Sequence, residues 1–246
     1  MNKLRVKEDR LQEAINNENI QAFEIDSDLI TGYKGFYNQV VKRVIDFMLA
    51  VVITIGMSPI LLIVAIAIFI EDGLPIFYRA ERGGYHGESF RIYKFRSMVK
   101  NADKIGGGTT KLHDERITKI GKIIRKIKLD ELANLFCVLN GTMSFVGPRP
   151  ELLCYTKEYK GTEKKIFEVR PGMTDYSSLE FIDLDEIVGT GDADKVYEKY
   201  ILPRKNKLRI KYAATVSFTT DFKLFFLTVG KVLGKAYGFI VRKEHR

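Results

Sequence analysis

The longest feature in the hydrophobic pattern is a run with no charge at all, Phe47 to Ile70, 24 residues drawn mostly from Ile, Val, Leu, Ala and Phe. As one straight helix it reaches about 36 Å, enough to cross the hydrocarbon core of a bilayer. A soluble helix of that length keeps a polar face, and this run has none, so it predicts membrane insertion. Gly56 and Ser58-Pro59 sit at its centre. Pro59 cannot donate to the carbonyl of Ile55 and disfavours helical geometry at Ser58. Lys34, Lys42 and Arg43 precede the run; Arg79, Arg82, Arg91, Lys94 and Arg96 follow it. Basic flanks favour the cytoplasmic side, and here both flanks are basic. A helix that enters, breaks at Ser58-Pro59 and returns on two arms of roughly 18 Å keeps both inside. A kinked span is the alternative, and it strands one basic flank outside.

Beyond this run the pattern shortens. Leu74–Arg79 and Ser89–Arg96 have the aromatic and β-branched content of strands, and Gly83-Gly84-Tyr85-His86-Gly87 between them predicts a small hairpin. On the second strand Lys94 and Arg96 share a face, which suits an anion clamp or a solvated edge. The glycine-rich stretch around Gly106-Gly107-Gly108 reads as a loop without phosphate-loop spacing. Residues 114–128 form a basic amphipathic helix with an apolar stripe of Ile117, Ile120, Ile124 and Ile127. A second short helix opens with Asp130 and Glu131, carries Leu132, Leu135, Phe136 and Leu139 on one face, and stops at Asn140-Gly141. Pro148-Arg149-Pro150 then holds one arginine between two fixed φ angles.

Further on, 152–169 reads as a charged helix, Arg170–Asp175 as a turn, Tyr176–Ile182 as a strand, and 184–200 as a polar helix. From Lys205 the chain is basic and amphipathic. The segment after Phe218 mixes lysines with large apolar residues, as a core helix or a helix lying in a membrane interface does. Leu4–Phe23 has a helical pattern in an otherwise polar N-terminal extension, 1–36, with no apolar signal-peptide region.

Composition changes the picture in two ways. Forty Lys and Arg against 31 Asp and Glu give 246 residues a net charge of +9, which points to polyanionic partners: nucleic acid, an anionic membrane or phosphorylated substrates. Two cysteines, Cys137 and Cys154, and three histidines exclude a disulfide framework and a zinc cluster. The uncharged run and the lack of a nucleic-acid motif argue against nucleic acid. The fold class expected is α+β, mostly helical with a small β-hairpin. A membrane hairpin over 37–73 precedes a catalytic domain over 74–246.

Six motifs occur in order: Lys42-Arg43-Val-Ile-Asp46, Ser58-Pro59, Ile92-Tyr-Lys-Phe-Arg-Ser-Met98, Leu129-Asp-Glu-Leu132, Met143-Ser-Phe-Val-Gly-Pro-Arg-Pro150 and Arg170-Pro-Gly-Met-Thr174. Together they resemble the bacterial sugar transferases known as monotopic polyprenyl-phosphate phosphoglycosyl transferases, over roughly residues 37–235. The resemblance implies transfer of a sugar-1-phosphate from a UDP-sugar to polyprenyl (undecaprenyl) phosphate, with release of UMP, on the cytoplasmic leaflet of the bacterial inner membrane. It implies a place at the start of surface polysaccharide, capsule or glycoconjugate assembly, and leaves room for a homo-oligomer.

By resemblance Asp130 is the nucleophile, and Glu131 with Asp130 positions Mg2+. Arg149 and Arg170 lie around the phosphates and nucleotide, and Asp221 is a functional acid before the last helix. The resemblance also makes Ser58-Pro59 the bend of a re-entrant helix. Charge considerations name Mg2+, Lys94, Arg125 and Arg149 as able to offset repulsion between Asp130 and a diphosphate, with Arg96 beside Lys94 as a further substrate-binding cation. A helix N-terminus is expected to keep Asp130 ionised. Ala133, Thr142 and Asp175 depart from residues common in the family, which leaves the sugar open. A catalytically silent scaffold in a glycan-assembly complex is the alternative.

Overall fold

A computed structural model describes residues 30–244; the helix expected over Leu4–Phe23 lies outside them. One π-helical turn, Tyr37–Val41, runs straight into α1, Lys42–Asp72. Among the described residues α1 with this turn is the one helix long and apolar enough to cross a membrane, and only 17% of its most apolar window is buried. The expected break at Ser58 and Pro59 does not end the helix: α1 carries both residues in its interior. Ser58 donates its hydroxyl to the carbonyl of Ile55 at 2.8 Å, taking up the acceptor that Pro59, having no N–H, leaves open.

Both ends of α1 are fastened to the rest of the fold. At the start Arg43 donates to the carbonyls of Val138 (2.5 Å) and Leu139 (2.9 Å), and Asp46 accepts from the amide of Phe145 at 3.3 Å. At the end Glu71 accepts from the amides of Lys119 and Ile120, while Arg96 donates to the carbonyls of Asp72 and Gly73. Lys42, Asp46, Ala50, Val64 and Ile68 are its buried residues, so the middle, 51–63, contributes none.

The hairpin forms as expected but starts later: β1 (Phe77–Gly83) pairs antiparallel with β2 (Ser89–Phe95), Phe77 opposite Phe95 and Gly83 opposite Ser89. After the one-turn helix α2 (Ala102–Ile105) comes α3, Lys119–Lys126, whose Thr118 caps the amide of Gly121. α3 starts later than its pattern proposes because Asp114 is folded onto Arg116 by three hydrogen bonds in the preceding turn. Lys128, in the left-handed region at φ 59°, then reverses the chain into a 3-10 segment, Leu129–Asn134, and the short α4, Leu135–Leu139.

β3 (Ser144–Val146) and β4 (Gly172–Thr174) pair in parallel. Just beyond β3 the two backbones touch: a Cβ on Gly147 meets the Arg170 carbonyl oxygen at 2.3 Å, and one on Gly172 meets the Gly147 nitrogen at 2.1 Å. Glycine at both positions lets Arg149 leave β3 close against β4. The helix expected over 152–169 is two pieces, α5 (Leu153–Thr156) and a 3-10 stretch, Gly161–Glu168. Tyr176–Ile182, expected as a strand, is corrected to the helix α6 (Tyr176–Glu180), because Asp175 caps it through the amide of Ser178 at 2.7 Å.

The polar helix expected over 184–200 is split by Gly189 (φ 71°) into α7 (Leu184–Val188) and α8 (Ala193–Val196). A π-turn, Tyr197–Ile201, joins α8 to α9 (Leu202–Thr215), and α10 (Phe218–Glu244) closes the fold. One core gathers Ala50 of α1, Ile92 of β2, Leu135 and Val138 of α4, Phe145, Tyr212 of α9 and Leu224 of α10. A second holds the end of α1, Val64 and Ile68, against Phe95, Ile124 and Ala133. α10 turns Phe218, Phe222, Phe226, Leu233 and Tyr237 outward, exposed.

Candidate active site

Against the first core, at Ile92 and Met143, lies a cleft of about 810 Å³, within the 300–1,000 Å³ range of small-molecule sites. Its wall takes Lys94 from β2, Arg125 from α3, Asp130, Glu131 and Asn134 from the 3-10 segment, and Arg149 from the loop after β3. The reversal at Lys128 turns the acids toward β2. The glycine pair between β3 and β4 brings Arg149 up from the other side.

Glu131 is the hub. Arg149 donates to its Oε2 at 2.9 Å and also bonds its Oε1, while Lys94 donates to Oε1 at 3.2 Å. Arg149 is itself fixed by the carbonyl of Met173 at 3.0 Å, and its backbone amide by Asp175 at 3.1 Å. Burial pushes the Glu131 carboxyl up, but the Arg149 and Lys94 cations outweigh it and hold the group well below the usual carboxylate range. Burial pushes the Lys94 ammonium down, against the pull of Glu131.

Asp130 is 5% exposed, and its Oδ1 has no hydrogen-bond partner. Burial and then the charge of Glu131 push its carboxyl up, opposed by Lys94, Arg125 and Lys128. The expected dipole effect is therefore corrected: a six-residue 3-10 segment supplies little dipole, and nearby cations are what favour the ionised acid. The adjacent carboxylates keep oxygens of the kind that magnesium takes as ligands. Mg2+ binds through one or two carboxylates plus substrate phosphates, Asp130 Oδ1 is open, and the three bonds to Glu131 leave a lone pair on its Oε2.

Lys94, Arg125, Asp130, Glu131 and Arg149 thus meet in one cleft, as the sequence proposes. Arg96, Arg170 and Asp221 do not join its wall. Arg96 pairs with Asp72 at 2.9 Å and holds the end of α1. Arg170 donates to the carbonyl of Gly141 and lies over the ring of Tyr85, 4.7 Å from its centroid. Asp221 is buried with Lys42 (2.5 Å), Tyr37 (2.8 Å) and Tyr212 (2.6 Å), tying α10 to the start of α1.

The cleft also has a polar end that the sequence reading missed. Glu151 accepts from Arg209 at 2.9 Å and bonds Tyr197, and Lys205 approaches Tyr197 at 3.4 Å. Burial raises the Glu151 carboxyl, and Arg209 and Lys205 bring it down to about 2; burial pushes Lys205 down to about 7. The available signal was Glu151 itself, directly after Pro148-Arg149-Pro150.

Residues 37–235 match the family profile described as bacterial sugar transferase. Curated relatives agree along most of the chain. An uncharacterized sugar transferase, EpsL, of Bacillus subtilis (strain 168) is 35% identical over 195 residues, 79% of this chain and 88% of the relative. The UDP-glucose:undecaprenyl-phosphate glucose-1-phosphate transferase of Klebsiella pneumoniae is 35% identical over 199 residues, 79% of this chain but 40% of the relative. Its namesake in Caulobacter vibrioides is 32% identical over 195 residues, 78% of this chain and 69% of the relative. The chain thus spans most of the Bacillus protein and well under half of the Klebsiella one. The motifs, the cleft they line and a profile match over four-fifths of the length converge: the chain belongs to the bacterial sugar transferase family.

Proposed function

We propose that the chain transfers a sugar-1-phosphate from a UDP-sugar to polyprenyl phosphate, undecaprenyl phosphate in the first instance, and releases UMP. The observation that carries this reading is the division of labour in the acid pair: Glu131 is matched by Arg149 and Lys94, and Asp130 is left as the open carboxylate of the cleft. Relatives named as UDP-glucose:undecaprenyl-phosphate glucose-1-phosphate transferases supply the substrate classes.

An Asp130 oxygen attacks the sugar-bearing phosphorus, the bond from that phosphorus to the bridging oxygen breaks, and UMP leaves with the bridging oxygen. A phosphate oxygen of the polyprenyl phosphate then attacks the same phosphorus. The acyl phosphate bond breaks, giving polyprenyl-diphosphate-sugar and returning Asp130 as a carboxylate. Lys94, Arg125 and Arg149 offset the charge that a diphosphate brings beside two acids. Asp130, with the remaining lone pair of Glu131, would hold Mg2+, which when bound would further neutralise phosphate charge. A scaffold without turnover is not favoured, because it gives this open, cation-flanked acid no work.

The lipid substrate sets the location: the inner membrane, with the cleft on the cytoplasmic side. We read α1 as re-entrant, turning back by a bend within the helix at Ser58-Pro59. Its two ends are held by the same body, its middle has no buried residue, and both flanks are basic. The outward phenylalanines of α10 fit a helix lying in the interface. The test is UMP release from a panel of UDP-sugars with undecaprenyl phosphate and Mg2+. The wild type releases UMP with one or more sugars, and Asp130→Asn releases none and gathers no labelled phospho-sugar on the protein. Turnover by Asp130→Asn sinks the nucleophile assignment.

A further inference from the structure

Two acceptor oxygens in the cleft have no partner, Oδ1 of Asp130 and Oδ1 of Asn134. Asn134 is 3% exposed, lies in the same 3-10 segment as Asp130 and lines the same cleft. Buried acceptors are almost always satisfied, because leaving one bare forfeits its hydration with nothing in return. Two bare oxygens from one short segment, on residues that line one cavity, ask for a shared positive partner.

Arg125 and Lys128 act on Asp130 through charge, but no cationic side chain around the two oxygens hydrogen-bonds either of them. Arg149 and Lys94 bond Glu131, and Arg125 reaches Ser97 at 3.5 Å. Among the described residues no third carboxylate, histidine or cysteine completes a metal cluster with the acid pair. Amide oxygens are hard ligands of the kind that magnesium and manganese accept. Glu131 has one lone pair left after its three bonds, whereas Asp130 and Asn134 each offer an oxygen with nothing on it.

We propose that Asn134 is a ligand of the divalent cation, its Oδ1 acting together with Oδ1 of Asp130. Glu131 then serves the site chiefly by holding Arg149 and Lys94. This rests on reading the cleft as a phosphoryl-transfer site. It adds a neutral ligand, which leaves Asp130 more of its negative charge than a third carboxylate shell would share. A phosphate in place of the cation would instead turn the amide's NH2 inward, and the two cases respond oppositely to a carboxylate at position 134.

The probe is Mn2+ alone, titrated by electron paramagnetic resonance into the purified full chain in detergent, without nucleotide. The expected result is binding by the wild type and an affinity at least about tenfold weaker in Asn134→Ala. Asn134→Asp, nearly isosteric, is expected to bind at least as tightly as the wild type. Mn2+ affinity unchanged in Asn134→Ala overturns the proposal, as does absence of Mn2+ binding by the nucleotide-free wild type. If Asn134→Ala does not fold, Asn134→Asp decides, and weaker binding than wild type overturns the proposal.

UMP release on the same preparations separates the two readings. Turnover with unchanged Mn2+ affinity in the variants removes Asn134 from the metal and leaves the transferase reading standing. Loss of Mn2+ in Asn134→Ala with no turnover of any UDP-sugar by the wild type keeps the ligand and removes the transferase reading.

Discussion

Arg149 holds both carboxylate oxygens of Glu131, a fork closed across 18 residues of sequence, with Lys94 as a third donor at 3.2 Å. The guanidinium plane matches the carboxylate, which a lysine's point charge does not. Arg149→Lys is therefore expected to free one Glu131 oxygen and let the segment carrying Asp130 shift. A displacement of about 1 Å at such a site costs on the order of 100-fold in rate. The measurement is kcat for UMP release, with heat unfolding as control. Activity within a factor of a few of wild type removes the fork from the chemistry.

The acid limb of the rate profile reports Asp130. Burial and Glu131 push its carboxyl up, so the attacking carboxylate is lost as pH falls through a value above the ordinary 3.9 or so of an aspartate. Arg125 is among the cations that bring it down. Arg125→Gln is accordingly expected to move the acid limb of kcat/KM to higher pH, measured from pH 5 to pH 9. A limb that stays in place, or moves to lower pH, separates Arg125 from Asp130.

Asp221 is expected to matter for stability and not for chemistry. It accepts from Lys42, Tyr37 and Tyr212, all away from the cleft wall. Breaking a buried pair leaves a buried charge and costs about 3–5 kcal/mol; Asp46, 3.8 Å from Lys42, is the counter-charge that remains. Asp221→Ala should melt well below wild type while its folded fraction keeps its kcat. The paired replacement Lys42→Met with Asp221→Leu should regain much of the loss. Unchanged melting with lost activity would return Asp221 to the substrate.

These cases show what a linear reading can reach. Asp130, Glu131 and Arg149 were legible because each sits in a short stretch whose turn chemistry and spacing are local. Arg96 and Arg125 look alike as cations beside a strand and a helix. Only the docking of α1 commits Arg96 to the carbonyls of Asp72 and Gly73 and leaves Arg125 for the cleft. Asp221 meets Lys42 from 179 residues away, and Glu151 meets Arg209 from 58, so neither partnership has a local signature. Tyr176–Ile182 reads as a strand after the Arg170–Asp175 turn, but the Asp175 cap, a single side chain, sets a helix instead. Pro59 stays inside α1, where the neighbouring Ser58 hydroxyl takes the carbonyl that the proline leaves open.

The topology of α1 has a direct test. A spanning helix leaves its two flanks on opposite sides of the membrane, while a re-entrant one leaves both on the cytoplasmic side. Lys34 and Glu88 are exposed on either side of α1 and accept a reporter without disturbing a core. Cys154 is exposed and is first replaced by Ser; Cys137 is buried, its thiol on the carbonyl of Arg91, and can stay. Lys34→Cys and Glu88→Cys, made separately, are expected to resist an impermeant maleimide in intact cells and both to react once the cells are opened. The ends of α1 are tied to α4 and to Arg96, just past β2, in one body, so protection of the two sites should rise and fall together. Labelling of one site alone in intact cells establishes a span, and with it a body that could not keep both fastenings on one side.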